Sequence, residues 1–303
     1  MKPSSKQDIF SADFIRKLEK LRFIIRKSLF SGTIGERVMK QKGGRIDFAG
    51  HRNYTPGDET RYIDWNAFAR LGKLYIKEFS REETLPLYLM LDISQSMSGP
   101  DEPGKISKLD YCRQLAAALG YVGMVANQAV RLWAFNQRDF IASNLMHSDK
   151  QLFEMLTYLK GLKASGRTNL AEALARLDRV VAGKGFVVIL TDLFDTEPES
   201  SRKILRRLAK KGFIINIMHI SAGADELSEI GGLFRLRDVE SAEEQTVWLD
   251  QKTVEIYRHT LLSFSEEWND FCLKHDMKYF YLDTIVPIED VIFRMLKKRE
   301  LLK

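Results

Sequence analysis

Residues 85–91 read LPLYLML, an apolar run without the alternation of a strand that has one wet face. A segment this short and this apolar needs cover on both sides, the position of a strand inside a parallel sheet. Two runs of the same kind follow, GFVVILTD at 185–192 and FIINIMHI at 213–220. Between them, apolar residues recur at helical spacing. Residues 107–126 place Leu109, Cys112, Leu115, Leu119 and Val122 on one stripe, and NLAEALARLDRVV and SSRKILRRLAKKG are amphipathic. AVRLWAF and DFIASNL read as two short paired strands and KQLFEMLTYLKGL as a helix. Residues 251–275 read as a long helix, KYFYLDT as a last strand and 288–302 as a closing helix; the stretch Leu233 to Trp248 has no clear period. Alternation of this kind gives an α/β fold, a mainly parallel sheet with helices on both faces.

Upstream, residues 11–29 carry Phe14, Ile15, Leu18, Leu21, Ile24, Ile25 and Leu29 at helical spacing, and KLYIKEFS at 73–80 alternates like a strand. Between them lie a glycine-broken basic stretch, Gln41 to Gly50, and HRNYTPGDETRYIDW, with turn chemistry at Pro56-Gly57-Asp58. The expected division is an N-terminal segment, 1–82, with a helix and a small β segment, and a main domain, 83–303. A length of 303 residues at 45% hydrophobic is ample for such a core. The net charge of +6 permits acidic partners without requiring them. Cys112 and Cys272 are far apart and form no CxxC pair, which excludes a disulfide scaffold and fits a reducing compartment. No apolar window reaches membrane-spanning length, and MKPSSKQDIF has no signal-peptide core, so a cytoplasmic location is expected.

In open α/β sheets ligands gather beyond the carboxyl ends of the strands. There the sequence places Asp92, Ser94 and Ser96 in LDISQSMSG, Thr168 in the ASGRT loop, and Asp192 after GFVVILT. All five offer oxygen, which suits Mg²⁺ or Mn²⁺. Two carboxylates only just neutralise a divalent ion. With one of them acting through water, the ion keeps positive character, and an open position would favour an anionic oxygen such as a partner's carboxylate. Plainer roles compete. Asp and Ser cap helices, Thr168 could cap the helix from Asn169, and Asp192 could be an ordinary strand-end carboxylate with Asp195 as a rival.

These residues resemble a known site. DISQS matches the DxSxS core of the metal-ion-dependent adhesion site of von Willebrand factor A-type domains, with Thr168 in SGRTNL and Asp192 in LTD in the family's order. The resemblance implies that Asp92, Ser94, Ser96 and Thr168 hold Mg²⁺ (or Mn²⁺), with Asp192 acting directly or through water. The stretch RIDFAGHRNYTPGDETRYIDWNAFARLGKLYIKEF is similar to the signature of a bacterial family known as domain of unknown function fifty-eight. Arg52, Tyr54, Pro56, Gly57, Asp58, Arg61, Ile63, Asp64, Trp65, Ala69 and Arg70 match it, and the likeness runs from about residue 30 to the C-terminus. Many relatives carry N-terminal membrane helices, a pattern this sequence does not show. Relatives are associated with MoxR-type AAA+ ATPases, which implies an adaptor in ATP-driven assembly or remodelling of protein complexes.

The same signature admits a structural role, a turn with a buried Trp65 and ion pairs; Asp58 and Asp64 could instead form a carboxylate pair for acid–base work. The basic run Arg202, Lys203, Arg206, Arg207, Lys210 and Lys211 shares a helix with Ile204, Leu205 and Leu208 and reads as a solvated face, so no nucleic-acid partner is expected. The five histidines show no ligand spacing, and neither GxxxxGK[ST] nor GxSxG occurs. The expected function is a non-enzymatic, metal-dependent protein-binding adaptor that meets an acidic side chain of a MoxR-type ATPase or its client. The alternative is a metal-dependent hydrolase of phosphate esters, the ion polarising a phosphoryl oxygen.

Overall fold

The computed structural model describes residues 9–20, 47–80, 85–99, 105–195, 197–222, 232–237, 244–249 and 251–297. By contact, the chain divides into two compact units, Met1–Phe23 with Leu85–Lys303, and Ile24–Thr84. The helix at 12–20 (α1) therefore groups with the main sheet, whereas the sequence placed it in a segment ending at 82. Packing is the reason. Phe14 and Leu18 of α1 are buried, the Gln114 amide donates to Ile9 O at 2.8 Å, and Lys17 Nζ lies 2.9 Å from Glu289. Residues 21–29 and 298–302 of the expected helices lie outside the described residues.

In the smaller unit, β1 (Asp47–Asn53) pairs antiparallel with β2 (Tyr75–Ser80), and α2 (Trp65–Leu71) lies between them in sequence. β1 comes out of the end of the stretch that reads only as glycine-broken and basic. Asp64 starts α2 by accepting from Asn66 N and Ala67 N at 3.0 and 3.1 Å, and Gly72, at φ 64°, ends it in the left-handed conformation. Asp64 also lies 2.7 Å from His51 Nε2, while Asp58 accepts from Arg52 Nη1 and Nη2, each at 2.6 Å. The two carboxylates thus have separate partners. Trp65, expected to be buried, is 61% exposed, because α2 is held by its caps and buries no residue.

The main unit is built on β3 (Leu87–Asp92), β4 (Val130–Phe135), β5 (Phe140–Ala142), β6 (Phe186–Thr191), β7 (Ile214–Ser221) and β10 (Lys278–Asp283), in spatial order β10-β7-β6-β3-β4-β5. Only β5, at one edge, runs antiparallel to its neighbour in this sheet. The stretch without a clear period forms a separate hairpin, β8 (Gly232–Arg237) with β9 (Glu244–Leu249). The helices are α3 (Lys108–Val125), α4 (Leu152–Gly161), α5 (Leu170–Val180), α6 (Pro198–Lys210), α7 (Gln251–Lys274) and α8 (Ile288–Lys297). A mainly parallel sheet with helices on both faces is the fold class that the resemblance implies.

Every residue of β3 is buried, and its alternation explains why. Tyr88 and Met90 join a cluster with Val187, Ile189, Leu174, Leu205 and Trp268 on one face. Leu87 and Leu89 meet α3 on the other. That helix was expected to show one apolar stripe, yet Tyr111, Ala116, Ala117 and Ala118 are buried beside the stripe residues, so it is enclosed on nearly every side. Its glycines allow the close approach. A Cβ at Gly123 would lie 2.9 Å from Leu87 Cδ2 and 3.1 Å from Val130 Cγ2, whereas one at Gly161 of α4 would meet nothing within 4 Å. Gly123→Val should therefore cost about 1–3 kcal/mol in urea unfolding, as overpacking does. Gly161→Ala should change stability by no more than about 0.5 kcal/mol, and equal effects from the two would contradict the packing described.

Candidate functional site

The site begins with strand register. β3 and β6 place Tyr88 beside Val187 and Met90 beside Ile189. Two residues further on, the same alternation brings Asp92 and Thr191 together, and the Thr191 hydroxyl donates to Asp92 Oδ2 at 2.7 Å. The chain runs outward from β3 in opposite directions, to β4 and β5 on one side and to β6, β7 and β10 on the other, so this is the switch point where α/β sheets form a crevice. Asp92 has no exposed surface. Its Oδ1 accepts from Ser94 N at 2.8 Å, and its Oδ2 also accepts from the Thr168 hydroxyl at 3.0 Å. The Ser94 and Ser96 hydroxyl oxygens lie 3.0 Å apart. Two backbone bonds tie their loop to the ASGRT loop, Gln95 N to Gly166 O at 2.7 Å and Ser165 N to Ile93 O at 2.8 Å.

The competing plain roles resolve residue by residue. Thr168 does not cap α5; Asn169 does, its Oδ1 accepting from Glu172 N at 2.8 Å, and the Thr168 hydroxyl turns to Asp92 instead. Asp195 accepts from the Ser201 hydroxyl and from Glu197 N at the start of α6. Asp192 is buried beside Thr191, its Oδ2 accepting from Lys108 Nζ at 2.6 Å and its Oδ1 from Phe194 N at 3.3 Å. Leu193, between them, is a buried non-glycine residue at φ 60°, a strained conformation of the kind found at functional sites. Thr191 and Lys108 are the participants that sequence reasoning missed. Thr191 directly precedes Asp192 in LTD, but only strand register reveals its bond; Lys108 opens the helix after the DxSxS loop.

Burial, and then the negative charge of Asp192, push the Asp92 carboxyl up to about 6, against the hydrogen bonds from Ser94 and Thr191 that favour its charged form. The site therefore holds two carboxylates out of water, with the Lys108 ammonium on Asp192. Its donors are hard oxygens, the set that Mg²⁺ and Mn²⁺ accept. Among the described residues no three His, Cys, Asp or Glu side chains come together to hold a metal. An ion here would thus take much of its shell from Ser94, Ser96 and Thr168 hydroxyls. His219, which has no metal-ligand spacing, is buried and pushed down to about 4 by that burial, with Asp192 opposing; its Nδ1 lies 2.6 Å from the Tyr279 hydroxyl.

Other candidates serve elsewhere. In the basic run, Arg202 pairs with Glu199 and Glu267 and lies over the Trp268 ring at 4.9 Å, while Arg207 and Lys211 pair with Asp178. Among the described residues no helix is long and apolar enough to cross a membrane. Thr191→Val keeps the shape but removes a donor to buried Asp92 and the acceptor that Leu193 N uses at 3.0 Å. Urea unfolding should show a loss of about 1–3 kcal/mol; unchanged stability would mean that the register contact does not hold the carboxylate.

Residues 50–262 match the family model described as Protein of unknown function DUF58. An uncharacterized protein of Mycobacterium bovis is 24% identical over 243 residues, which cover 77% of this chain and 73% of that protein. Among solved structures, similarity to the conserved hypothetical protein BatB of Bacteroides thetaiotaomicron covers 71% of this chain and 98% of that one, at 16% identity and a TM-score of 0.46. Similarity to the SpRpn10 VWA domain covers 69% and 95%, at 11% identity and a TM-score of 0.39.

Proposed function

This chain belongs to the family described as Protein of unknown function DUF58, and we propose that its strand-end site makes it a metal-dependent protein-binding adaptor rather than an enzyme. One observation carries the reading. Asp92, Ser94, Ser96, Thr168 and Asp192, from three separate stretches of sequence, meet at the sheet's switch point, and two of them are buried carboxylates, of which Asp192 carries the Lys108 ammonium. Mg²⁺ or Mn²⁺ held by these residues would supply an electropositive position able to accept a carboxylate oxygen from another protein. A charge-assisted contact of that type selects one acidic side chain and its direction, which suits an adaptor. The resemblance of the upstream signature and DxSxS motif to a family associated with MoxR-type AAA+ ATPases makes such an ATPase, or its client, the partner proposed.

Calorimetry between this protein and a MoxR-type ATPase of the same organism tests the reading. Binding in Mg²⁺ should be lost on adding EDTA and on Asp92→Ala; binding that persists in both would remove the metal bridge. Hydrolysis of a phosphoester panel that disappears in Asp92→Ala would favour the hydrolase alternative.

The pH dependence follows from Asp92. Its carboxyl is raised above the ordinary value of 3.8 to about 6 in the folded protein, so the folded state holds the extra proton between these values. The stability that this proton confers is present at low pH and is lost as pH rises through about 6. A divalent ion needs the ionised form, so it competes with the proton. Mg²⁺ should raise the melting temperature at about pH 7.5, and the increment should shrink as pH falls below about 6. An increment independent of pH across that window would place the ion elsewhere.

A further inference from the structure

Lys108 is the first residue of α3, where the helix dipole disfavours a cation. Nothing local recommends lysine there. Ser107 already caps the helix by accepting from Asp110 N at 3.0 Å, and Lys108 N donates to Gly99 O. The side chain instead reaches across the fold to Asp192, 84 positions along the chain, and is itself only 12% exposed. Phe194 covers it, with Nζ 5.3 Å from the ring centroid. A lysine at a disfavoured helix position, nearly buried and aimed at one carboxylate of the candidate ion site, is placed as a resident cation.

We infer that Lys108 is the built-in competitor of the divalent ion: its ammonium holds Asp192 Oδ2, and an ion that draws on Asp192 must displace it or bind against its charge. This rests on the metal-site reading and specifies which residue sets the affinity. In the lysine-bound state the two carboxylates are partly neutralised without metal. Metal affinity is correspondingly weakened, because a divalent ion must share the site with a positive charge or pull the ammonium out from under Phe194. The Asp192 oxygen that meets the ammonium is unavailable to a metal while the pair stands.

Mn²⁺ titration calorimetry on the full chain, comparing wild type with Lys108→Met and Lys108→Arg, is the test. Lys108→Met should bind Mn²⁺ about tenfold more tightly, the low end of measured coupling between close charges, while Lys108→Arg, which keeps the charge, should not. Lys108→Met should also melt at a lower temperature than wild type in EDTA and regain that stability in Mn²⁺, since an uncompensated buried carboxylate is left without the ion. If Lys108→Met is too unstable to titrate without metal, the Mn²⁺-induced rise in melting temperature reads the same competition and should exceed that of wild type. Equal Mn²⁺ affinity in wild type and Lys108→Met would overturn the competition and leave the metal site standing. Absence of Mn²⁺ binding in all three proteins would overturn the metal site and the competition together.

Discussion

The site depends on a single buried carboxylate. Asp92 sits at the end of a strand buried along its whole length and has no exposed surface, where an ionised group without partners would be strongly disfavoured. Three donors meet it, the backbone of Ser94 and the hydroxyls of Thr168 and Thr191. Each donor fixes a different part of the fold. Ser94 N folds the DISQS loop back on the strand, Thr168 brings in the loop ahead of α5, and Thr191 holds β6 in register. The carboxylate is therefore both a structural rivet and a charge that the fold leaves incompletely neutralised, and the second property turns the strand end into a candidate ion site.

Much of this was legible in the sequence because it is local. Continuous apolar runs marked β3, β6 and β7, and helical spacing marked α4, α5 and α6, since these signals need only a few neighbouring residues. DxSxS was readable for the same reason, with its residues two apart on one loop. What escaped depends on contacts between distant stretches. Thr191 matters only because parallel pairing sets it beside Asp92, and Lys108 only because α3 starts where its side chain reaches Asp192. The burial of α3 on nearly every side also escaped, because alanine and glycine carry little apolar signal but permit close packing. Trp65 misled in the opposite sense. A large aromatic beside a turn suggests a core, yet α2 is organised by Asp64 and Gly72 at its ends.

The charge distribution sets the functional reading apart from a bare motif match. Hydroxyls from Ser94, Ser96 and Thr168 add no negative charge, so an ion held here would stay electron-poor and favour an external anionic oxygen. Lys108 adjusts the same balance from within, standing on Asp192 as a cation that the chain itself provides. Burial of both carboxylates keeps these interactions from being screened by salt as surface pairs are. A docking contact built this way would be directional and sensitive to chelation, to pH near the raised Asp92 value, and to the residue at position 108.

Anomalous diffraction from crystals soaked in saturating Mn²⁺ tests the central claim most directly. The expected result is one strong peak at the ends of β3 and β6, in contact with the Ser94 and Ser96 hydroxyl oxygens, with the Lys108 side chain withdrawn from Asp192. A map with no peak there, and with Lys108 still on Asp192, would contradict the claim that these residues form an ion site.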